Sequence, residues 1–150
     1  MSLTITVKSE FVLDRLARLS QRMADLTPVM AGIGAALKTR ISNRFETETD
    51  PDGNPWAGWS PATIKTYPED GNLTILDRHG KMLDSLTVET TATSVTVGFA
   101  EPYATYHEYG TKKMPRRGLL FSDPETGTLS PDDERTVLDI LNHFLSKTLP

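Results

Sequence analysis

The sequence predicts an α+β fold, in which a small antiparallel sheet packs against N-terminal helices and a C-terminal helix, with long irregular loops between them. Apolar residues recur at helical spacing near both ends of the chain, and they alternate as in strands between residues 86 and 99. The chain has 150 residues, a length typical of one domain, and it can bury enough surface to fold without a disulfide or a metal. We therefore expect a single domain over residues 1–150.

Charge and composition exclude several classes of protein. The chain has 16 basic and 20 acidic residues, so its net charge is -4, and it has no cysteine. An acidic chain lacks the general positive field of nucleic-acid-binding proteins, so any DNA contact must be local and is not expected to be sequence-specific. Without cysteine there is no disulfide, thiolate zinc site or cysteine nucleophile. Neither a membrane-spanning run nor a signal peptide is evident, so we expect a soluble, unexported protein with no membrane contact.

The first part of the chain predicts a strand followed by a helix. Apolar and polar residues alternate over residues 3–7, which is typical of a strand with one buried face. Ser9 is a suitable N-cap, and the apolar residues after it recur every three or four positions as far as Leu26. These residues are Val12, Leu16, Leu19, Met23 and Leu26.

A second helix is predicted to start at Thr27 and Pro28, because threonine can cap a helix and proline suits its first position. Its apolar ladder consists of Met30, Ile33, Leu37, Ile41 and Phe45. Gly32 and Gly34 permit a close approach to another backbone at some cost in helix propensity. We expect the two helices to share one core, and a heptad zipper with a partner is the alternative.

Residues 46–76 form a long excursion, rich in proline and glycine, with one short helical turn expected from Ser60 and Pro61 to Lys65.

A short helix is then predicted over residues 76–86. Alternating β-branched residues on both sides of residues 91–94 predict an antiparallel hairpin. A closing helix is predicted from Ser130 and Pro131, because its acidic first turn suits the helix dipole.

Two segments contain residue types that are used in metal binding or catalysis. Residues 50–54 begin like a calcium-binding loop, but Pro55 stands where glycine is needed and Pro61 where a closing glutamate is needed, so a turn is favoured. His107 and Glu108 begin like a metalloprotease motif, but Thr111 stands at the position of the second histidine. A small hydrolase using His107, Glu108 and a distant aspartate stays open, as does a cluster of the three histidines. We expect no cofactor and no metal.

One concentrated cationic segment contains Lys112, Lys113, Arg116 and Arg117. It has three open interpretations: a solvated loop, a docking site for an acidic protein surface, or a contact with a phosphate backbone. Acidic stretches at 46–52 and 123–134 flank this segment in sequence. Such separation of charge can orient a protein between unlike neighbours, which the net charge does not reveal.

Aromatic residues are concentrated in or beside the predicted loops. We expect Trp56 and Trp59 to anchor loops on the core. Tyr103, Tyr106 and Tyr109 are candidates for an assembly surface next to the cationic segment, because aromatic and arginine residues are enriched at interface hot spots. The candidate interaction residues are these aromatic and basic side chains together with His107, namely Trp56, Trp59, Tyr103, Tyr106, His107, Tyr109, Lys112, Lys113, Arg116 and Arg117.

An ordered set of short motifs extends over residues 3–147. It consists of Phe45, residues 52–56, Trp59, residues 63–65, 75–76, 80–85, 95–98, 103–104, 107–111 and 115–120. This succession resembles the phage virion morphogenesis family, which includes the tail completion proteins of P2-like phages and the G protein of Mu-like phages. The chain departs from the family pattern at Gly118 and Leu119, where proline and phenylalanine are usual, and at Glu108, where glutamine is frequent.

The resemblance implies a non-enzymatic structural protein of a phage or prophage, which completes the tail or joins it to the head during assembly. Such proteins bind other tail or neck proteins and generally act as homo-oligomeric rings in the virion, so a monomer in solution can become a multimer only there. The expected locations are the virion tail or neck and, during assembly, the host cytoplasm. Residues 107–120 and 46–76 are the expected contact surfaces.

Overall fold

A computed structural model describes residues 9–66, 75–76 and 80–148, and within them the chain forms six helices and two strands. These elements are α1 (Glu10–Arg22), α2 (Thr27–Thr47), α3 (Pro61–Thr66), α4 (Lys81–Asp84), β1 (Leu86–Thr90), β2 (Val95–Phe99), α5 (Ala104–Tyr109) and α6 (Pro131–Lys147). The predicted α+β class is confirmed. The strand predicted at residues 3–7 lies outside the described residues. In the described part of the chain, no helix has the length and apolar character needed to cross a bilayer.

Helices α1 and α2 form much as the apolar spacing predicts, but their junction differs. The Ser9 hydroxyl accepts the Val12 amide proton and caps α1. The helix ends at Arg22, short of the predicted Leu26, because Met23 adopts an extended conformation. Thr27 does not cap α2. Instead, its amide donates to the Asp25 carboxylate at 2.9 Å, and its hydroxyl donates to the same oxygen.

The predicted hairpin is confirmed, with Leu86 opposite Phe99 and Thr90 opposite Val95 in an antiparallel pair. It packs on α2, where Gly34 is buried. A β-carbon at Gly34 would lie 2.5 Å from Cγ1 of Val88, so no larger residue fits without displacing the sheet. The close approach predicted for the helix glycines therefore occurs at Gly34.

Helix α6 closes the core by packing against both α1 and α2. Its predicted cap is confirmed, because the Ser130 hydroxyl accepts the Asp133 amide proton at 3.2 Å and Pro131 occupies the first turn. The apolar faces of α1 and α2 are thus used inside the chain, as expected for a shared core. The core includes Val12, Leu19, Val29, Ile33, Leu37, Ile41, Phe45, Val97, Phe99, Val137 and Leu141.

A buried ion-pair network fixes the start of α6 to α2. Asp133, only 1% exposed, pairs with Arg44, and its other oxygen accepts from Nε of Arg40 at 2.7 Å. Arg44 also donates to the Leu119 carbonyl at 2.6 Å. The acidic first turn of α6 therefore contributes a buried ion pair as well as the predicted complement to the helix dipole.

The helix predicted over residues 76–86 is wrong in extent. Leu76 has a positive φ of 62°, and among the described residues of this stretch regular helix covers Lys81–Asp84. Leu86 already belongs to β1. Four residues suffice to turn the chain into the hairpin, and Gly80 precedes them with a φ of 77° that favours glycine.

Candidate interaction surface

Helix α5 lies in a segment that the sequence assigned to loops. Ala104 and Glu108, one turn apart, are both fully buried and form its inner side. Tyr103, Tyr106 and Tyr109 recur every three residues on the other side and are 38%, 57% and 44% exposed. No aliphatic stripe marks this helix because its inner side consists of one alanine and one carboxylate. The absence of that stripe is why apolar periodicity missed it.

The Glu108 carboxylate holds the chain that follows α5. One of its oxygens accepts the amide protons of Leu119 and Leu120 at 2.6 and 3.0 Å, and the other accepts that of Phe121 at 3.0 Å. The guanidinium of Arg116 lies 3.5 Å from the carboxylate and donates at 2.6 Å to the Glu108 carbonyl and to the Phe121 carbonyl. Glu108 is thus fully engaged in holding backbone, and this role had no signal in the sequence.

Arg117 fastens the same segment to the long excursion. It is 8% exposed, and its guanidinium donates to the carbonyls of Ala57 and Gly58, both at 2.8 Å. Its amide donates to the His107 carbonyl at 2.8 Å. Burial lowers the pKa of Arg117. The Arg117 side chain therefore joins two of the expected contact segments, residues 107–120 and 46–76, through buried hydrogen bonds.

Trp56 anchors the excursion on the core, as predicted. The side chain is 5% exposed and meets the Phe45 ring edge-on, with 5.5 Å between ring centroids. Its indole N–H donates to the Gly118 carbonyl at 2.9 Å. Trp59 is partly exposed at the far end of the same stretch. Trp56 therefore contributes to the support of the surface, because little of it is accessible to a partner.

Lys112 and Lys113 occupy the tip of a tight turn. The backbones of Thr111 and Met114 exchange two hydrogen bonds, of 3.0 and 3.3 Å, which close the turn. Gly110 ends α5 with a φ of 74°, a conformation that favours glycine. Both lysines are exposed, and neither forms an ion pair with another residue of the described part of the chain. The structure thus divides the cationic segment into two buried or partly buried arginines and two presented lysines.

His107 is a half-buried residue of α5, with the Tyr103 ring edge-on at 6.4 Å between centroids. Its Nδ1 atom is buried and has no hydrogen-bond partner among the residues that the structure describes. Burial, and then the charge of Arg117, lower the pKa of His107 to about 4, so the imidazole is neutral at pH 7. Glu108 cannot act as its catalytic partner because the carboxylate is buried and its oxygens accept three backbone amide protons.

Further features of the described residues bear on the hydrolase and metal alternatives. Among them, no group of three histidine, cysteine or acidic side chains is placed to hold a metal ion. His79 lies outside the described residues, so the three-histidine cluster stays a prediction. A cleft of about 340 Å³ lies between the start of α1 and residues 126–129, and His107 is not among its lining residues.

The segments around α5 thus combine buried hydrogen bonds to the backbone with exposed tyrosine and lysine side chains, and comparison with known proteins gives the family of the chain. The chain belongs to the phage virion morphogenesis family, whose model matches residues 7–146. It is a protein of phage morphogenesis with a structural role, as the resemblance implied.

The chain is also similar to a protein of a Mu-like prophage. The chain is 29% identical over 130 residues to Mu-like prophage FluMu G protein 2 of Haemophilus influenzae (strain ATCC 51907 / DSM 11121 / KW20 / Rd), and the alignment covers 86% of each chain. No solved structure matches the chain.

Proposed function

We propose that this protein completes the phage tail or joins the tail to the head, acting by protein–protein binding in a ring at the tail end or neck. The observation that carries the proposal is the family match, which extends over residues 7–146 and includes all the segments around α5. Similarity to a Mu-like prophage G protein over most of both chains supports the same role.

The use of the polar residues around α5 also favours binding over catalysis. Glu108, Arg116 and Arg117 direct their hydrogen bonds to backbone groups of the chain itself. A catalytic site needs groups that converge on a substrate in a pocket. Here the polar groups converge on the chain and leave exposed tyrosines outside, which suits docking to another protein.

Deletion of the gene from its phage or prophage tests the proposal. We expect filled heads and tails that fail to join, or tails that lack a finished end, in electron micrographs of induced lysates. A plasmid copy of the wild-type gene should restore joined, infectious particles. Normal infectious tailed particles from the deletion strain would refute the proposed function.

Sedimentation of the purified protein tests the assembly state. If the ring forms only on its virion neighbours, the isolated chain stays monomeric at concentrations where ordinary ring proteins assemble. A stable closed ring in the absence of other phage proteins would contradict that part of the proposal.

A further inference from the structure

The exposed side of α5 and the turn that directly follows it in the chain are here named together the tyrosine–lysine face. It consists of Tyr103, Tyr106, Tyr109, Lys112 and Lys113. We propose that this face docks on another virion protein, whose surface offers apolar pockets to the tyrosine rings and carboxylates to the two lysines. The inference rests on the proposed function and names the chemistry of the partner.

Hydrogen bonds within the chain hold the backbone of the tyrosine–lysine face in the absence of a partner. At one end, the buried Glu108 carboxylate binds three consecutive amides, and at the other the turn is closed by two backbone hydrogen bonds between Thr111 and Met114. Gly110 fits against the Arg116 backbone, where a β-carbon would lie 3.0 Å from the Arg116 nitrogen. A preformed surface loses little conformational entropy on binding, which favours affinity.

The tyrosines have no role in the core that accounts for them. The inner side of α5 is already filled by Ala104 and Glu108, so the three tyrosines lie on the outer side, where they are 38% to 57% exposed and each keeps part of a large apolar ring accessible. Three exposed tyrosines thus follow one another at intervals of three residues along α5. Tyrosine is enriched at the centres of protein interfaces, whereas lysine is more typical of their rims. The arrangement therefore has the composition of a docking site with a cationic edge.

The charges around the face favour a protein over DNA. The Tyr109 hydroxyl donates to the Pro124 carbonyl at 3.4 Å, which places the face beside the exposed Asp123 and Glu125. At the opposite end, burial and then the negative charge of Glu101 raise the pKa of Tyr103. A phosphate backbone crossing the two lysines would meet these carboxylates as well. A protein surface can instead place its own carboxylates at the lysine turn alone.

Site-specific crosslinking in cells that produce the phage tests the proposal. Tyr106 is replaced by the photoreactive amino acid p-benzoyl-L-phenylalanine in the full chain, and the crosslinked peptide is identified by mass spectrometry. We expect an adduct with another virion protein, in a peptide that carries aspartate or glutamate. The same photoreactive residue at Ala17, which is exposed on α1, serves as the control position.

Charge reversal then tests the lysines. The double variant Lys112→Glu with Lys113→Glu should lower the yield of the Tyr106 adduct about tenfold or more, because like charges then face each other. Changing the partner's carboxylates to lysine should restore it. The matched control is Lys38→Glu with Lys81→Glu, which makes the same change in net charge at exposed positions elsewhere. Thermal unfolding of both purified variants verifies that they are folded.

The outcomes separate this inference from the proposed function. An adduct with DNA, with a host protein or with a second copy of this chain would overturn the inference, as would no adduct or a yield unaffected by charge reversal. An adduct with another virion protein that depends on the lysines, in a phage whose deletion strain still makes normal particles, would support the inference and refute the proposed function.

Discussion

Replacing Glu108 by glutamine tests whether its carboxylate holds the chain after α5. One carboxylate oxygen serves the amides of Leu119 and Leu120, and the other serves Phe121. Glutamine has only one oxygen, so its NH₂ group must face one set of donors. With the oxygen towards Leu119, the Phe121 amide loses an acceptor whose bond contributes about 1.5–3 kcal/mol. The remaining bonds lose their charge assistance, while the cost of burying a charge disappears.

We therefore expect Glu108→Gln to lower the free energy of unfolding by about 1.5–3 kcal/mol. Urea unfolding measures the total, with the midpoint lowered and the slope unchanged. Amide hydrogen exchange measures the local effect, which is expected as faster exchange at Phe121. The control Glu46→Gln changes an exposed carboxylate and should stay within about 0.5 kcal/mol of wild type. A Glu108→Gln variant as stable as that control, with Phe121 exchange unchanged, would refute the role assigned to Glu108.

Three further predictions concern the core and its charges. Gly34→Ala should destabilise the protein by about 1–3 kcal/mol in urea unfolding, since the new β-carbon would lie 2.5 Å from Val88. Gly32→Ala, whose β-carbon has only ordinary contacts beyond 3.5 Å, should instead stabilise it by up to about 1 kcal/mol, and the same sign for both variants would contradict the packing described. Asp133→Ala should cost about 3–5 kcal/mol by the same measurement, because it leaves a buried guanidinium unpaired, and a loss below 1 kcal/mol would count against a buried pair. The pKa of His107 is lowered from 6.5 to about 4, so the unfolded chain binds more protons between these values and stability falls as the pH is lowered through them. His107→Gln should flatten that part of the curve of urea midpoint against pH, and an unchanged curve would exclude His107 as its source.

Much of the helical framework was predictable from local signals. The serine caps at Ser9 and Ser130 and the apolar spacing after them locate α1 and α6. The hairpin was predictable for a similar reason, because its β-branched residues alternate on both sides of a short polar turn. These features involve residues within a few positions of one another, so the sequence displays them directly.

The support of the interaction surface was not predictable in the same way. Arg44 and Asp133 are 89 positions apart, and Arg117 meets Ala57 across 60 positions. The first pair depends on how α2 and α6 pack, and the second on how two loop segments meet. In the sequence, Arg117 and Lys113 are equivalent cations. Only the fold shows that Arg117 is buried and binds the backbone, whereas Lys113 is exposed. The sequence could thus indicate which segment matters without showing which of its residues a partner can reach.

The turn between Thr111 and Met114 projects from a base that is fastened independently of it. Glu108 secures the chain on one side and Arg117 on the other, so residues can be inserted or exchanged at the tip with little cost to the fold. The tip can therefore change in sequence as a unit without disturbing the hydrogen bonds of the residues beneath it. For the docking proposed above, grafting the tip of one relative onto the base of another is accordingly a direct test of whether the tip sets partner choice.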